Sequence, residues 1–365
     1  MDRRDLDRVL GRLAEMQGSD LHVKVGSPPR VRVDGRLIRL EGEPVVEAAD
    51  VAVIAQEIMQ PRTWEAFERD FEADFAYSVG GLGRFRVNAF RQRGSIGMVL
   101  RHVHITAWSL DDLGLPDAVR RLAEEQRGIV LVTGPTGCGK TTTLAGMIDH
   151  INSTRECHIV TIEDPIEVLH RDKLASINQR EVGFDTVSFS AALRGALRED
   201  PDVILVGEMR DQETVSTALI AAETGHLVLS TLHTGDSVET INRIIGLYPP
   251  EQQQQARVSL AGVLRGTICQ RLVPAASGNG RVPALEIMIA NGRIAQCIAN
   301  REQTGDIADI VSDGEYYGMQ TFAQSLASLV REGRITVDGA IAATATPQDL
   351  RIMLQREGVT HSLIH

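Results

Sequence analysis

The run GPTGCGKT at residues 134–141 constrains the fold of this chain more than any other part of its 365 residues. Its outer glycines are separated by four residues and are followed by lysine and threonine, the spacing of a phosphate-binding loop. The apolar stretch IVLVT at 129–133 predicts a buried strand before the loop, and TTLAGMI at 142–148 predicts a helix after it. Glycines let backbone amides curl around a phosphate, and a helix start adds partial positive charge. We therefore predict a nucleotide site on a parallel α/β sheet.

The residues of this loop have distinct expected roles. Lys140 is expected to reach the β- and γ-phosphates of ATP, and the Thr141 hydroxyl is expected to ligate Mg²⁺. The expected ATP-binding residues are Gly134, Pro135, Thr136, Gly137, Cys138, Gly139, Lys140, Thr141 and Thr142.

Acidic residues follow two further apolar stretches. HIVTI at 158–162 leads into Glu163, and VILV at 203–206 leads through Gly207 into Glu208. Ligands bind at the carboxyl edge of parallel strands, where both acids are expected to lie. Each acid alone could be a solvated loop residue. Together they predict a catalytic pair, in which one carboxylate polarises the attacking water and the other serves the metal. We expect Glu208, with Thr141, to be the metal ligand.

Two histidines and two arginines are further candidates. His226 and His233 flank the predicted strand at 227–232 and are either capping residues or sensors of the γ-phosphate or of a neighbouring subunit. The sequence disfavours zinc there, because no further histidine or cysteine has ligand spacing. Arg86 and Arg101 lie on strands predicted in the first hundred residues, where arginines form either a solvated face or a phosphate contact.

Composition limits the function classes. The net charge is −11 and only 4% of residues are aromatic, which disfavours nucleic acid as a partner. The four cysteines are scattered without a Cys-x-x-Cys pair, as in proteins of reducing compartments. The N-terminus lacks an apolar signal core, and no apolar run approaches the roughly 18 residues of a membrane span. We expect a cytoplasmic protein.

The pattern along the chain predicts several domains. Residues 1–104 read as a small α+β domain, 105–117 as a linker, 118–285 as a P-loop α/β domain and 286–365 as a mostly helical region. Within them, we expect one helical stretch over about 51–67 and one helix over about 251–270.

These residues together resemble one family, the secretion ATPases of type II secretion and type IV pili. The resemblance covers nearly the whole chain. Its further motifs are SDLH at 19–22, RVDG at 32–35, GRFRVN at 83–88, TIEDPIE at 161–167, NQREVG at 178–183, REDPD at 198–202 and GMQTF at 318–322.

The resemblance implies a PAS-like N-terminal domain, a RecA-like ATPase domain and a homohexameric ring with ATP bound between subunits. It implies that Glu163 polarises the lytic water, that Glu208 acts with Mg²⁺, and that His226 and His233 belong to a histidine box. By the same resemblance, Arg86 and Arg101 reach the nucleotide across domains or subunits. The implied partners are an inner-membrane pilus platform protein and other pilus ATPases, with no nucleic acid. Membrane association is expected only through such partners, at the inner face of the cytoplasmic membrane.

Within the family the chain is most similar to the twitching-motility retraction branch, because no tetracysteine zinc site follows His233. It departs from that branch at residues 293–300, which keep the apolar spacing of a helix needed for retraction but lack its two arginines. A pilus-assembly or secretion ATPase is the alternative. A RecA-like nucleic-acid translocase and a non-motor regulatory subunit are less favoured.

Overall fold

The computed structural model describes residues 2–33, 35–103, 108–344 and 346–356. The chain divides into two compact units, Met1–Thr106 with Ile166–His170, and Ala107–Pro165 with Arg171–His365. Across the described residues, no helix is both long and apolar enough to cross a membrane.

The first unit is an antiparallel sheet with helices packed on its apolar face. The strands follow the order β3-β2-β1-β6-β5-β4. Its core includes Leu6, Leu21, Phe85 and Leu100. The elements are α1 (Arg3–Glu15), β1 (Asp20–Lys24), β2 (Arg30–Val33), β3 (Arg36–Arg39), α2 (Ala48–Ile58), α3 (Pro61–Asp70), β4 (Glu72–Val79), β5 (Gly83–Gln92) and β6 (Ser95–Val103).

The single helical stretch expected over 51–67 is wrong, because it is two helices. Helix α2 ends at Ile58, and Met59 has an extended backbone. Pro61 then opens α3, a position where its missing N–H removes no helical hydrogen bond. Strands β2 and β3 pair in antiparallel register, with Val33 opposite Arg36, and residue 34 itself lies outside the described residues.

A buried carboxylate ties α1 to the segment after β3. Glu43 lies 2.6 Å from guanidinium nitrogens of both Arg8 and Arg12, and its side chain is 3% exposed. The hydrogen bond from Arg8, helped by Arg12 and opposed by burial, lowers the pKa of Glu43 to about 2.

The contacts of Glu43 with Arg8 and Arg12 predict that the stability of the protein depends on pH. Because the folded pKa lies below the unfolded value, the carboxylate stabilises the protein above about pH 4.5, and the effect is lost as pH falls towards 2. We expect Glu43→Gln to lower the free energy of unfolding by about 1–2 kcal/mol at pH 7, a figure reduced for the exposure of Arg8. Urea denaturation at both ends of this pH range measures it. The control, Asp70→Asn, breaks only the exposed pair with Arg69 and should change little. A Glu43→Gln difference that stays constant down to about pH 2 would contradict the assignment.

The second unit contains a seven-stranded sheet with the order β13-β12-β7-β11-β10-β8-β9. All pairs are parallel except β12 with β13. Every residue of β7, β10 and β11 is buried, as their largely apolar sequences predict for a sheet covered on both faces. The elements are α4 (Asp117–Ala123), β7 (Gly128–Thr133), α5 (Lys140–Thr154), β8 (His158–Glu163), β9 (Ser176–Glu181), α6 (Phe189–Ala196), β10 (Val203–Val206), α7 (Gln212–Glu223), β11 (Leu227–Leu232), α8 (Ser237–Gly246), α9 (Gln253–Val263), β12 (Leu264–Pro274) and β13 (Arg281–Ile289).

The helix expected over 251–270 is wrong in its second half. Helix α9 ends at Val263, and β12 begins at the next residue because it pairs with β7. A side chain at Gly266 would place its Cβ 2.6 Å from the Met288 carbonyl oxygen, so the close approach of β13 requires glycine there. Strand β13 runs to Ile289 and crosses residue 285, where the sequence places the end of the ATPase domain. The domain bounds remain a prediction.

The remaining described residues are mostly helical, as predicted. They form α10 (Gly292–Ala299), α11 (Ile307–Ser312), α12 (Phe322–Arg331), α13 (Val337–Ala343) and α14 (Pro347–Arg356), with 3-10 turns at Arg301–Asp306 and Glu315–Tyr317. Helix α10 buries Ile294, Cys297 and Ile298, so the apolar spacing of residues 293–300 does form a helix without the two arginines. The whole matches the predicted class, an α/β P-loop ATPase fold with an N-terminal α+β unit and a helical C-terminal region. Of the predicted linker, residues 105–107 lie outside the described residues, and α4 begins at Asp117.

Candidate functional site

The loop at 134–141 joins the carboxyl end of β7 to the start of α5, as predicted. Gly134, Gly137 and Gly139 have φ values of 141°, 79° and 93°, a region that L side chains rarely adopt. The motif needs glycine there for its backbone conformation.

Lys140 is the first residue of α5 and is only 9% exposed. Its Nζ donates to the carbonyl oxygens of Gly134 at 2.7 Å and Pro135 at 3.1 Å. These carbonyls offset the cost of burying the ammonium group. The charge is therefore held inside the curve of the loop, next to the helix start.

The start of α5 is suited to an anion. Among the described residues no side chain caps it, and its first turn carries no acidic residue. Thr141 and Thr142 lie half-buried in that turn. Uncapped N–H groups and the helix dipole favour a phosphate at this position, so the residues fit ATP.

The two predicted acids lie at the same edge of the sheet. Glu163 is the last residue of β8, and Glu208 follows β10 by two residues. Val206 pairs with Ile162, and the Gly207 N–H donates to the Ile162 carbonyl at 2.8 Å. On the other side of β10, Leu232 of β11 pairs with Thr133 of β7. The carboxyl ends of four neighbouring strands thus bring both acids and the glycine loop to one edge.

Glu163 is oriented by two neighbours. Its Oε1 accepts a hydrogen bond from Thr161 Oγ1 at 2.6 Å and from Gln179 Nε2 at 3.1 Å. Thr161 lies on the same strand, two residues earlier, whereas Gln179 comes from the edge strand β9. A carboxylate held in this way is fixed in one direction and can serve as a general base.

Glu208 is part of a chain of polar contacts that ends at Lys140. Its Oε2 lies 2.8 Å from Arg210, and its Oε1 lies 3.5 Å from His233 Nε2. His233 Nδ1 is in turn 3.4 Å from Lys140 Nζ. Burial alone would raise the pKa of Glu208, but Arg210 and His233 bring it below its usual value, so the carboxylate is charged near neutral pH.

Thr141 and Glu208 are the residues suited to a metal. Within the described part of the chain, no three His, Cys, Asp or Glu side chains form a metal cluster. Magnesium does not need such a cluster, because it is usually held by one or two protein groups together with substrate phosphates and water. A hydroxyl at the loop and an ionised carboxylate at the same sheet edge fit that pattern.

The structure separates the two histidines. His233 follows the carboxyl end of β11, beside Lys140, whereas His226 precedes its amino end. A strand of this length places them about 20 Å apart. His226 Nδ1 lies 2.8 Å from the Ala221 carbonyl, at the end of α7. His226 therefore cannot sense a phosphate on Lys140 of its own subunit, which leaves a capping role at the end of α7 or a role towards a neighbouring subunit.

The two predicted arginines are cross-strand partners in the first unit. Arg86 of β5 pairs directly with Arg101 of β6. Arg101 Nε lies 2.8 Å from Oδ1 of buried Asp20, yet its side chain is 68% exposed. Arg86 is also exposed. Both side chains are therefore exposed on the surface of this unit, and Arg101 is at the same time ion-paired with Asp20.

Sequence reasoning missed three residues that contact the candidate acids. Thr161 and Gln179 bind Glu163, and Arg210 binds Glu208. Arg210 follows the acid by two residues and could have been suspected from its charge. Gln179 lies in the motif NQREVG at 178–183, but its contact with Glu163 could not be foreseen, because β9 was not recognised as a strand.

Comparison with known proteins identifies the family. A model described as Type II/IV secretion system protein matches residues 3–342. The type IV pilus retraction ATPase PilT of Pseudomonas aeruginosa is 43% identical over 345 residues, which cover 94% of this chain and 99% of that protein. A twitching motility protein of Neisseria gonorrhoeae is 45% identical over 86% of this chain and 83% of its own length. The crystal structure of the pilus retraction motor PilT with bound ADP is 44% identical, with a TM-score of 0.87 over 95% of this chain and 99% of that one. The chain therefore belongs to the Type II/IV secretion system protein family, and it is an ATPase of that family.

Proposed function

We propose that this chain is a hexameric motor that hydrolyses ATP to power retraction of type IV pili. The observation that carries the proposal is the 43% identity to a pilus retraction ATPase along nearly the full length of both proteins. It is supported by the placement of Lys140, Glu163 and Glu208 at one edge of the sheet.

Each residue of the site has a separate role in ATP hydrolysis. Lys140 and the loop amides hold the phosphates, and Glu163 accepts a proton from the attacking water. Thr161 and Gln179 keep that carboxylate in place. Thr141 and Glu208 would hold Mg²⁺, which neutralises phosphate charge when bound. His233, between Lys140 and Glu208, is placed to respond when either one changes partner.

The partners follow from the proposed role. The chain would form a homohexamer in the cytoplasm and would pass its stroke to a pilus platform protein of the inner membrane. Other pilus ATPases are further proposed partners, and nucleic acid is not one. The chain would reach the inner face of the cytoplasmic membrane only through these proteins.

Deletion of the gene, followed by imaging of surface pili, tests the proposal. We expect long, unretracted pili and loss of twitching, because assembly continues without withdrawal. Wild-type protein should restore retraction, and a Lys140→Ala protein at equal abundance should not. Bald cells would contradict retraction and would indicate a pilus-assembly ATPase instead.

The arginines of the first unit give a test of the ring. If Arg101 reaches a phosphate from another subunit, Arg101→Ala should lower turnover by at least about tenfold while ATP binding persists. Arg86→Ala should act in the same direction. The matched control is Arg69→Ala, which removes an exposed arginine of the same unit and should have almost no effect.

A mixture of two impaired variants tests whether Arg101 acts on the nucleotide of a neighbouring subunit. An Arg101→Ala chain and a Lys140→Ala chain should regain part of the activity when they form mixed rings, because some interfaces then pair an intact lysine with an intact arginine. Absence of recovery in mixed hexamers of proven composition would mean that Arg101 does not act on a neighbouring subunit.

A further inference from the structure

A buried glutamine lies directly behind the nucleotide loop. Gln270 is on β12, next to the residue that pairs with Thr133 at the end of β7. It is 3% exposed. It comes from a strand about 130 residues further along the chain than the loop.

The side-chain amide of Gln270 joins the loop to the helix. Its Nε2 donates to the Cys138 carbonyl oxygen at 2.6 Å, and its Oε1 accepts from the Thr143 hydroxyl at 2.7 Å. A carbonyl oxygen can only accept, so the first contact fixes which end of the amide faces the loop. One side chain thus holds the backbone before Gly139 and the first turn of α5 at a set distance.

The same residue explains two glycines of the motif. A Cβ at Gly134 would lie 2.4 Å from the Gln270 carbonyl oxygen, and a Cβ at Gly139 would lie 2.7 Å from its Nε2. Both distances are too short for real contacts. The loop is therefore shaped against Gln270 at its two ends, as well as by its own turn conformation.

We propose that Gln270 is a positioning residue for nucleotide binding, which clamps the loop so that its amides and Lys140 face the phosphates. It acts through Cys138 and Thr143 and makes no contact with the reacting atoms. The inference rests on the proposed nucleotide site and is independent of the direction in which the motor works.

The clamp has a readout that does not depend on hydrolysis. Cys138 is 4% exposed, and burial raises the pKa of its thiol. A buried thiol of this kind reacts slowly with thiol reagents. When the clamp is lost, the loop opens and Cys138 becomes reactive, whereas Cys297 on α10 provides a buried internal reference.

The experiment compares Gln270→Met, Thr143→Val and the double variant with wild type. For each we expect the KM for ATP and the Kd for ADP to rise about tenfold, while saturating ATP restores kcat to within about threefold. Cys138 labelling by a maleimide, followed by mass spectrometry, should be about tenfold faster with Cys297 unchanged. The double variant should be no worse than Gln270→Met alone, because Gln270→Met already removes the hydrogen bond that Thr143→Val removes. Thr143→Ser, which keeps the hydroxyl, should behave as wild type.

The control is Gln320→Met, which removes a half-buried glutamine that donates to the Leu285 carbonyl at 3.0 Å, away from the loop. It should change neither KM nor labelling. The proposal is overturned if Gln270→Met keeps the KM for ATP within twofold of wild type and leaves Cys138 protected from the maleimide. If Gln270→Met does not fold, the same outcome for Thr143→Val overturns it. If wild type binds no nucleotide, the proposed function fails, and the labelling rates still decide whether the clamp exists.

Discussion

Lys140→Ala is expected to reduce ATP hydrolysis more than a hundredfold while the protein stays folded. Lys140 is the buried cation at the centre of the loop, 2.7 Å from the Gly134 carbonyl. Loss of such a charge contact to the transferred phosphate removes about 3 kcal/mol or more of transition-state stabilisation. Steady-state hydrolysis, with circular dichroism to verify the fold, measures the effect.

The matched control is Lys173→Ala. Lys173 also makes a 2.7 Å contact, but with Asp149 on the surface of the same unit. Its removal should leave turnover near the wild-type rate. Turnover of Lys140→Ala within about threefold of wild type would refute the phosphate site.

Glu163→Gln is expected to bind ATP and to hydrolyse it at least about a hundredfold more slowly. The amide oxygen of glutamine can still accept from Thr161 and Gln179, so the geometry is preserved. An amide cannot take the proton from water, so chemistry is lost without loss of binding. Single-turnover hydrolysis and equilibrium ATP binding separate the two.

Two comparison variants sharpen this result. Glu156 precedes the same strand at its other end and is exposed, so Glu156→Gln should hydrolyse ATP normally. Glu208→Gln should also slow turnover, with an altered dependence on Mg²⁺ concentration if Glu208 serves the metal. Unchanged rates in both Glu163→Gln and Glu208→Gln would rule out the two-carboxylate mechanism.

Much of this site is predictable because the carboxyl ends of parallel strands all lie at the same edge of a sheet. The runs that form β7, β8, β10 and β11 are mostly apolar, so their existence and common direction follow from hydrophobic burial. Once the strands are parallel, Glu163, Glu208 and His233 must lie at the edge that carries the glycine loop. The rule also places His226 at the opposite edge.

The two strands that the sequence analysis did not predict, β9 and β12, lack such a distinct apolar run. Strand β9 has the sequence SINQRE and lies at the sheet edge, where polar residues are tolerated and no apolar run marks the strand. Strand β12 follows α9 without a turn residue, so an apolar stretch of that length reads as a longer helix. Gln179 and Gln270 lie on these two strands. Their contacts are set by strand pairing between distant parts of the chain, which no local pattern records.

The most direct test of a ring motor is the ATP hydrolysis rate per subunit as a function of protein concentration. The mass of the assemblies is measured in the same samples. We expect a low rate per subunit for monomers and an increase of at least about tenfold as hexamers form, because an arginine of one subunit then completes the site of another. A rate per subunit that stays constant from monomer to hexamer would contradict a site completed between subunits.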